Sequence, residues 1–183
     1  FGFLYPNEYL LSLYDFFDKR LDAYYITRFY YNDEENLPDG VELGDPIIIP
    51  NSGATQSIYY ERVHPSCKKY FDDDIPPEAA VSYKNILLYR LAETHIVAAE
   101  AYMRMGNQGK ALELINPLRA RAEVPPIFNL TELELMKEHA RELAFEGHRF
   151  FFLKRIGKLY EQVQRFSGDD DFANEGRANI RPH

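Results

Sequence analysis

The sequence of 183 residues is 45% hydrophobic and 27% charged, a balance that predicts one folded domain with a sizeable core rather than a disordered chain. Its 29 acidic and 21 basic residues give a formal net charge of −8, which disfavours nucleic acid and anionic lipid as partners. The single cysteine, Cys67, excludes an internal disulfide, and the lack of any run of about 18 apolar residues excludes a membrane span within the sequence.

The first part of the chain, residues 1–84, is predicted to be rich in loops with a few short strands. Asn7 precedes apolar residues at helical spacing and is expected to cap a short helix. Asp18 and Arg20 follow, and a structural pair at a turn is favoured over a ligand clamp. Residues 21–31, LDAYYITRFYY, are β-branched and aromatic with rough alternation, which predicts an extended strand or ribbon.

Polar and apolar segments alternate in the rest of this part. Segment 32–44 is expected to turn the chain back, 47–50 to form a short buried run, and 57–63 to form a second extended segment. The acidic triplets at 72–74 and 169–171 lack the ligand spacing of calcium loops. Both are therefore interpreted as solvated loops and not as metal sites.

Two helices are predicted within residues 85–124. The first, 88–105, is expected to end at Gly106, and Asn107 is placed to cap the second. The positions predicted to be buried are Leu91, His95, Ala98, Ala99, Tyr102 and Met105 in the first helix, and Ala111, Ile115, Leu118 and Ala122 in the second. This spacing resembles a tetratricopeptide hairpin, which must stack on other helices to cover its apolar face. Pro117 is expected to kink the second helix.

The segment 130–159 begins with a strong helix signal. Thr131 and Glu134 form a capping box, and Leu130 and Leu135 are placed to clamp the helix entry. The positions predicted to face the core are Leu133, Met136, Ala140, Leu143 and Ala144. The opposite face, predicted to be exposed and salt-bridged, contains Glu134, Lys137, Glu138, Arg141 and Glu142.

A dense aromatic run follows this helix after Gly147, which permits a turn. Residues 150–152 are three phenylalanines between basic residues, and they are predicted to form a buried cluster. A second short helix is expected to pack Phe151 and Ile156 back on the first. The ion pair expected here joins Arg149 to Glu142 or Glu146.

This run also carries a family resemblance. Residues 145–158, FEGHRFFFLKRIGK, resemble the signature E-G-H-R-[WF]-F-D-L-[KR]-R-[WIL]-G near the carboxyl end of the SusD/RagB family of outer-membrane nutrient-binding lipoproteins. The upstream stretches RLAETHIVAAEAY and INPLRARAEVP resemble two further segments of that family. The residues assigned to a structural signature are Glu146, Gly147, His148 and Arg149. The sequence departs from the family at Phe152, usually Asp, at His139, usually Arg, and at Pro117.

The resemblance implies a mainly α fold, a SusD-like helical fragment with a tetratricopeptide-like hairpin, irregular loops and a few short strands. Residues 1–183 would then be a single carboxyl-terminal domain, with 160–183 as an irregular tail. The amino-terminal half, which in the family carries a signal sequence and a lipidated cysteine, is expected to lie outside this fragment.

The function implied by the resemblance is binding without catalysis. A surface-exposed lipoprotein of the cell outer membrane would capture a glycan or another nutrient and deliver it to a SusC-like TonB-dependent transporter. It would need no cofactor, and it would touch the membrane only through a lipid anchor outside this fragment. The alternative is a soluble tetratricopeptide module that binds proteins, which would need about three or more hairpins of roughly 34 residues.

Side chains suited to catalysis are sparse. The five histidines are scattered, and the sequence lacks the spacings of zinc sites, phosphate-binding loops and hydrolase nucleophiles. No catalytic residue and no metal are predicted, and His148 is given a structural role. The 14 tyrosines instead offer flat apolar faces with a hydroxyl tip, which suit sugars. The candidate ligand-binding residues are Tyr30, Tyr31, Tyr59 and Tyr60, with packing inside the protein as the alternative for each.

Overall fold

The computed structural model describes residues 5–48, 63–72, 74–76 and 83–166. The predicted mainly helical fold is confirmed. The helices are α1 (Glu8–Ser12), α2 (Lys19–Tyr24), α3 (Leu91–Arg104), α4 (Gln108–Arg121), α5 (Glu132–Leu143), α6 (Arg149–Arg155) and α7 (Leu159–Phe166), with a 3-10 turn at Glu34–Asn36. Strands β1 (Tyr25–Ile26) and β2 (Ser66–Cys67) form a short antiparallel pair.

The predicted starts of three helices are confirmed. Asn7, Asn107 and Thr131 each accept a hydrogen bond from the backbone N–H three residues further on. Such a cap satisfies one of the unpaired donors of the first turn and contributes about 1 kcal/mol. Gly106, with a φ of 76°, ends α3 as predicted, because only glycine adopts this left-handed conformation without strain.

The main core lies where α3 and α4 pack on each other and on α5 and α6. Its buried members are Ala92, Ile96 and Ala99 from α3, Ala111, Ile115 and Leu118 from α4, Leu135, Met136 and Leu143 from α5, Phe152 and Leu153 from α6, and Leu130 before α5. The prediction for α4 is confirmed. For α3 it is wrong at Leu91 and Met105, which are exposed, because the helix turns Ala92 and Ile96 to the core instead.

The predicted core face of α5 also needs correction. Leu133 is 52% exposed, whereas Leu135 is fully buried. Glu138, Arg141 and Glu142, predicted to lie on an exposed face, are buried as well. Helix α5 is therefore enclosed on two sides, by apolar neighbours on one and by charged partners on the other.

The strand predicted for residues 21–31 is wrong over most of its length. Its first four residues belong to α2, and extended pairing is confined to Tyr25–Ile26, which pairs with Ser66–Cys67, and to a ribbon in which Tyr30 pairs with Pro46. Helix α2 forms because Asp18 accepts a hydrogen bond from the backbone of Arg20 and binds its side chain, contacts that outweigh the β propensity of the sequence.

Two further expectations fail near the ends of the described segments. Ile48, expected in a buried run, is exposed, while residues 49–50 and 57–62 lie outside the described residues. The tail expected to be irregular from residue 160 begins inside α7, and residues 167–183 lie outside the described residues.

Helix α4 continues through Pro117 without a break. The limits of the single predicted domain stay a prediction.

Among the described residues, no group of His, Cys, Asp and Glu is arranged to hold a metal ion. None of the helices in the same ranges combines the length and the hydropathy that crossing a bilayer requires. Of the acidic triplets, residue 73 and the whole of 169–171 lie outside the described residues.

Candidate functional site

The turn between α5 and α6 is held by a loop from the first half of the chain. Gly147 and Phe145 both have positive φ values, 80° and 66°, and the latter is strained because phenylalanine carries a Cβ atom. The Lys69 ammonium donates hydrogen bonds to the carbonyl oxygens of Glu142 and Ala144, at 2.9 and 3.0 Å. A cation is favourable here because the carbonyl groups at the end of α5 carry partial negative charge.

Glu142 lies at the centre of a buried group of charges. Its side chain is 0% exposed and contacts three guanidinium groups, those of Arg20 at 3.1 Å, Arg90 at 2.6 Å and Arg121. Burial on its own would raise the pKa of this carboxyl, but the hydrogen bonds from Arg90 and Arg121 lower the pKa to about 2. Glu142 is therefore ionised at neutral pH.

Glu138 extends this group by one turn of α5. Its carboxylate contacts Arg20 at 2.6 Å, Arg119 at 3.0 Å and Arg141 at 2.7 Å. We call the whole group the ionic cluster; its members are Asp18, Arg20, Lys69, Arg90, Arg119, Arg121, Glu138, Arg141, Glu142 and Glu146. Asp18 and Arg20 do form the predicted structural pair, at 2.7 Å, but as part of this cluster.

The ionic cluster has a structural role, and none of its carboxylates is set up as a general acid. Its four carboxylates are all ion-paired, and the pKa values of Glu138, Glu142 and Glu146 lie below the ordinary value because bound arginine and lysine groups outweigh the effect of burial. General acid catalysis near neutral pH needs a raised carboxyl pKa. The cluster instead ties α2, α4 and α5 to Lys69 and Arg90.

The signature residues are part of this framework. Glu146 binds Lys69 at 2.6 Å and Arg90 at 2.7 Å, so the ion pair predicted between Arg149 and Glu142 or Glu146 is wrong. Arg149 instead donates to the carbonyl oxygen of Met136 at 2.8 Å. His148 Nδ1 lies 3.2 Å from a carboxylate oxygen of Glu93. These contacts favour the structural role expected for the signature.

The predicted phenylalanine cluster is only partly buried. Phe152 and Leu153 pack into the core, with Ile156 partly buried against it. Phe151, expected to pack on α5, is 70% exposed, and Phe150 is exposed as well. The reason is geometric: consecutive residues of a helix point about 100° apart, so three in a row cannot share one buried face.

Two positions that depart from the family pattern contact each other. The rings of His139 and Phe152 stack with their centroids 4.0 Å apart and their planes at 18°. His139 is 4% exposed, and its Nδ1 atom has no hydrogen-bond partner. Burial, together with the charge of Arg149, lowers the pKa of His139 to about 3. A stacked, uncharged pair thus occupies a place where the family pattern has opposite charges.

We expect acid to weaken the fold through His139. Its pKa is about 3 when folded and about 6.5 when unfolded, so between these values the unfolded chain holds a proton that the folded chain lacks. This contribution to stability is complete above pH 6.5 and is lost as the pH falls, by about 1 kcal/mol per pH unit between pH 6 and 4.5. Urea unfolding followed by circular dichroism at several pH values measures it.

The matched variant is His139→Phe, which keeps a ring against Phe152 and removes the titrating group. Its free energy of unfolding should depend less steeply on pH in the same interval. Equal slopes for the two proteins would contradict the assignment to His139, because the other titrating groups are common to both.

Of the tyrosines predicted to bind a ligand, two lie in the described residues. Tyr30 is 53% exposed, and its backbone pairs with that of Pro46. Tyr31 is half-buried in the same ribbon, which is formed by residues 29–31 and 44–47. Tyr59 and Tyr60 lie outside the described residues. Ligand contact at Tyr30 and Tyr31 stays a prediction.

An open groove beside the signature was missed at the sequence level. It has a volume of ≈ 780 Å³, and its lining includes Tyr70, Lys84, Tyr89, His148 and Phe151. The rings of Tyr89 and His148 lie 5.9 Å apart, and Tyr89 is among the most exposed aromatic residues described. Its sequence signal was the run of apolar residues at 86–89, but the last two of these were assigned to the predicted helix 88–105, whereas α3 begins at Leu91.

Comparison with known proteins identifies the family. The sequence model of the SusD family matches residues 8–181. A SusD-like protein P38 from Formosa agariphila is 31% identical over 113 residues, which cover 55% of this chain and 22% of that protein. The starch-binding protein SusD from Bacteroides thetaiotaomicron is 42% identical over 89 residues, which cover 48% of this chain and 14% of that protein.

The matched regions span less than a quarter of either relative. No solved structure matches the chain significantly. The family match nevertheless covers nearly the whole sequence, including the α5–α6 turn and the ionic cluster around it. The chain belongs to the SusD family.

Proposed function

We propose that this chain is the carboxyl-terminal part of a non-catalytic, lipid-anchored subunit on the cell outer membrane. The subunit captures a glycan or another nutrient and delivers it to a SusC-like TonB-dependent transporter. The observation that carries the proposal is the family match over residues 8–181. The name of the Bacteroides relative, a starch-binding protein, supports a glycan as the ligand.

The ligand contacts that we propose use exposed aromatic rings. Tyr30 presents a half-exposed ring on a ribbon whose backbone is fixed by hydrogen bonds from Tyr31 to Asp45 and from Gly44 to Tyr31, at 3.0 and 2.8 Å. A sugar ring has an apolar face, so it can stack on tyrosine while its hydroxyl groups remain free to form hydrogen bonds. Stacking of this kind holds a ligand without any reacting group.

Calorimetry of the full-length protein against a glycan panel tests this proposal. For the glycan that binds, Tyr30→Ala should weaken the affinity by about three- to tenfold, because one aromatic contact contributes roughly 0.5–1.5 kcal/mol beyond area burial. Tyr83→Ala removes an exposed tyrosine from a different segment and serves as the control. No reducing sugar should be released from any glycan in the panel.

Failure of every glycan to bind would contradict a glycan as the ligand, whereas equal affinity of the two variants for a glycan that binds would contradict only the role of Tyr30. The alternative, a tetratricopeptide module, needs stacked hairpins. The described part of the chain contains one hairpin with that spacing, formed by α3 and α4, and no observation favours the alternative.

A further inference from the structure

A pocket with a basic lining lies beside the ionic cluster. It has a volume of ≈ 390 Å³, which is in the range of small-molecule sites. Its lining contains four basic residues, Lys68, Lys69, Lys84 and Arg90, and a single acidic residue, Glu146. The pocket is therefore positively charged, although the whole chain has a net charge of −8.

The ionic cluster does not neutralise this charge. It contains six cations and four carboxylates, so two positive charges remain in excess. Glu146, the acidic residue of the lining, is already bound by both Lys69 and Arg90. An excess of one sign is costly among largely buried charges. An anion in the pocket would reduce that excess, because two cations of the cluster line it.

The lining also offers donors to an anion. Arg90 uses four of its five N–H groups: Nε and Nη2 donate to Glu146 at 2.7 and 2.8 Å, and Nη1 and Nη2 donate to Glu142 at 2.6 Å each. The fifth, on Nη1, has no partner among the described residues, and 18% of the side chain is exposed. Lys68 forms no ion pair with any residue in the described ranges. The Lys84 ammonium lies at the pocket wall, where it donates to the carbonyl oxygen of Phe71.

The pocket continues into the groove beside the signature. The residues that line both are Tyr70, Lys84, Leu87 and Glu146. The groove adds two exposed aromatic rings, those of Tyr89 and Phe151. Exposed rings of this kind can stack on the apolar faces of sugars. A positively charged end and an aromatic extension are thus part of one continuous surface.

We propose that the pocket selects an acidic glycan, an inference that rests on the proposed function. A sugar that carries a carboxylate or a sulfate group places this group in the pocket, beside Lys68 and Arg90. Neighbouring sugars of the same glycan stack along the groove. The anion gains charge-assisted hydrogen bonds, whereas a neutral sugar leaves the excess positive charge uncompensated.

Calorimetry of the full-length protein with two matched pairs of oligosaccharides tests this inference. One pair is an oligogalacturonate and its methyl ester; the other is a sulfated carrageenan oligosaccharide and its desulfated form. We expect the acidic member of at least one pair to bind about tenfold or more tightly than its neutral partner. This advantage should shrink as salt is added, because salt screens the attraction. The pair that shows it identifies carboxylate or sulfate as the recognised group.

The inference is overturned if neither acidic oligosaccharide binds, or if each binds no more tightly than its neutral partner. This failure is distinguishable from failure of the proposed function. Binding of a neutral glycan alone would leave that function intact and contradict only the acidic ligand.

A lysine variant locates the acidic group. Lys68→Gln should weaken binding of the acidic oligosaccharide by about three- to tenfold and leave its neutral partner unaffected. The fold should be preserved, because Lys68 lies outside the ionic cluster and its backbone N–H still donates to the carbonyl oxygen of Tyr24 at 2.7 Å. Lys110→Gln makes the same change at an exposed lysine of α4 that lines neither the pocket nor the groove, and it should alter neither affinity. Equal affinities of these two variants for the acidic oligosaccharide would place its charged group outside the pocket.

Discussion

Replacing Glu142 by glutamine is expected to lower the free energy of unfolding by about 3–5 kcal/mol. The amide keeps the shape of the side chain but removes its charge. Arg20, Arg90 and Arg121 then lose the carboxylate that all three contact. Arg20 keeps Asp18 and Glu138, and Arg90 keeps Glu146. The cluster of six cations is nevertheless left with three carboxylates instead of four, and such an excess of charge is costly where most of the groups are buried. Urea unfolding monitored by far-ultraviolet circular dichroism measures the effect, since the chain has no tryptophan.

Glu134→Gln is the matched control. It makes the same chemical change in the same helix, where Glu134 pairs with Lys137 at 3.0 Å and both side chains are about one-third exposed to water. An ion pair at such a position contributes about 0–1 kcal/mol. If Glu142→Gln were as mild as Glu134→Gln, the ionic cluster would not be a buried support of the fold.

The second large effect is expected for Leu135→Ala, which should lower the free energy of unfolding by about 2–5 kcal/mol. Leu135 is fully buried and belongs to the core between α3, α4 and α5. Truncation removes apolar contacts and leaves a cavity that the neighbouring helices can close only in part. The same urea experiment measures this change.

Leu133→Ala, two residues earlier in α5, is its control. Leu133 is 52% exposed, so the same truncation should change stability by no more than about 0.5 kcal/mol. The pair also distinguishes the two faces of α5, because the sequence pattern placed Leu133 in the core. If Leu133→Ala lowered the free energy of unfolding more than Leu135→Ala, Leu133 would be the core residue, as the sequence pattern predicted.

The helix ends and the buried face of α4 could be predicted from the sequence, because the residues that determine them are near each other in the chain. Thr131 caps α5 through a residue three positions away, and Gly106 ends α3 through its own backbone conformation. The spacing of Ala111 and Ile115 similarly fixes which face of α4 is buried. Each of these depends on the geometry of a single helix.

The ionic cluster could not be predicted in this way. Arg20 meets Glu138 across 118 positions of sequence, and no periodic pattern joins them. Charged residues on a helix are usually exposed, so α5 was expected to be amphipathic. The burial of Glu138 and Glu142 becomes predictable only once the cations that compensate them are known.

The stack of His139 on Phe152 constrains any exchange of segments between this chain and its relatives. Arginine at position 139 alone would bring a third guanidinium to the Phe152 ring, which already lies 5.7 and 5.6 Å from those of Arg149 and Arg155, without adding a carboxylate to compensate it. Restoring aspartate at position 152 alone would set an acid beside a neutral imidazole inside the core. A chimera that takes α5 from one protein and α6 from the other, joined at Gly147, would create one of these mismatches whenever the relative has arginine and aspartate at the two positions. Crossovers should therefore lie before α5 or after α6.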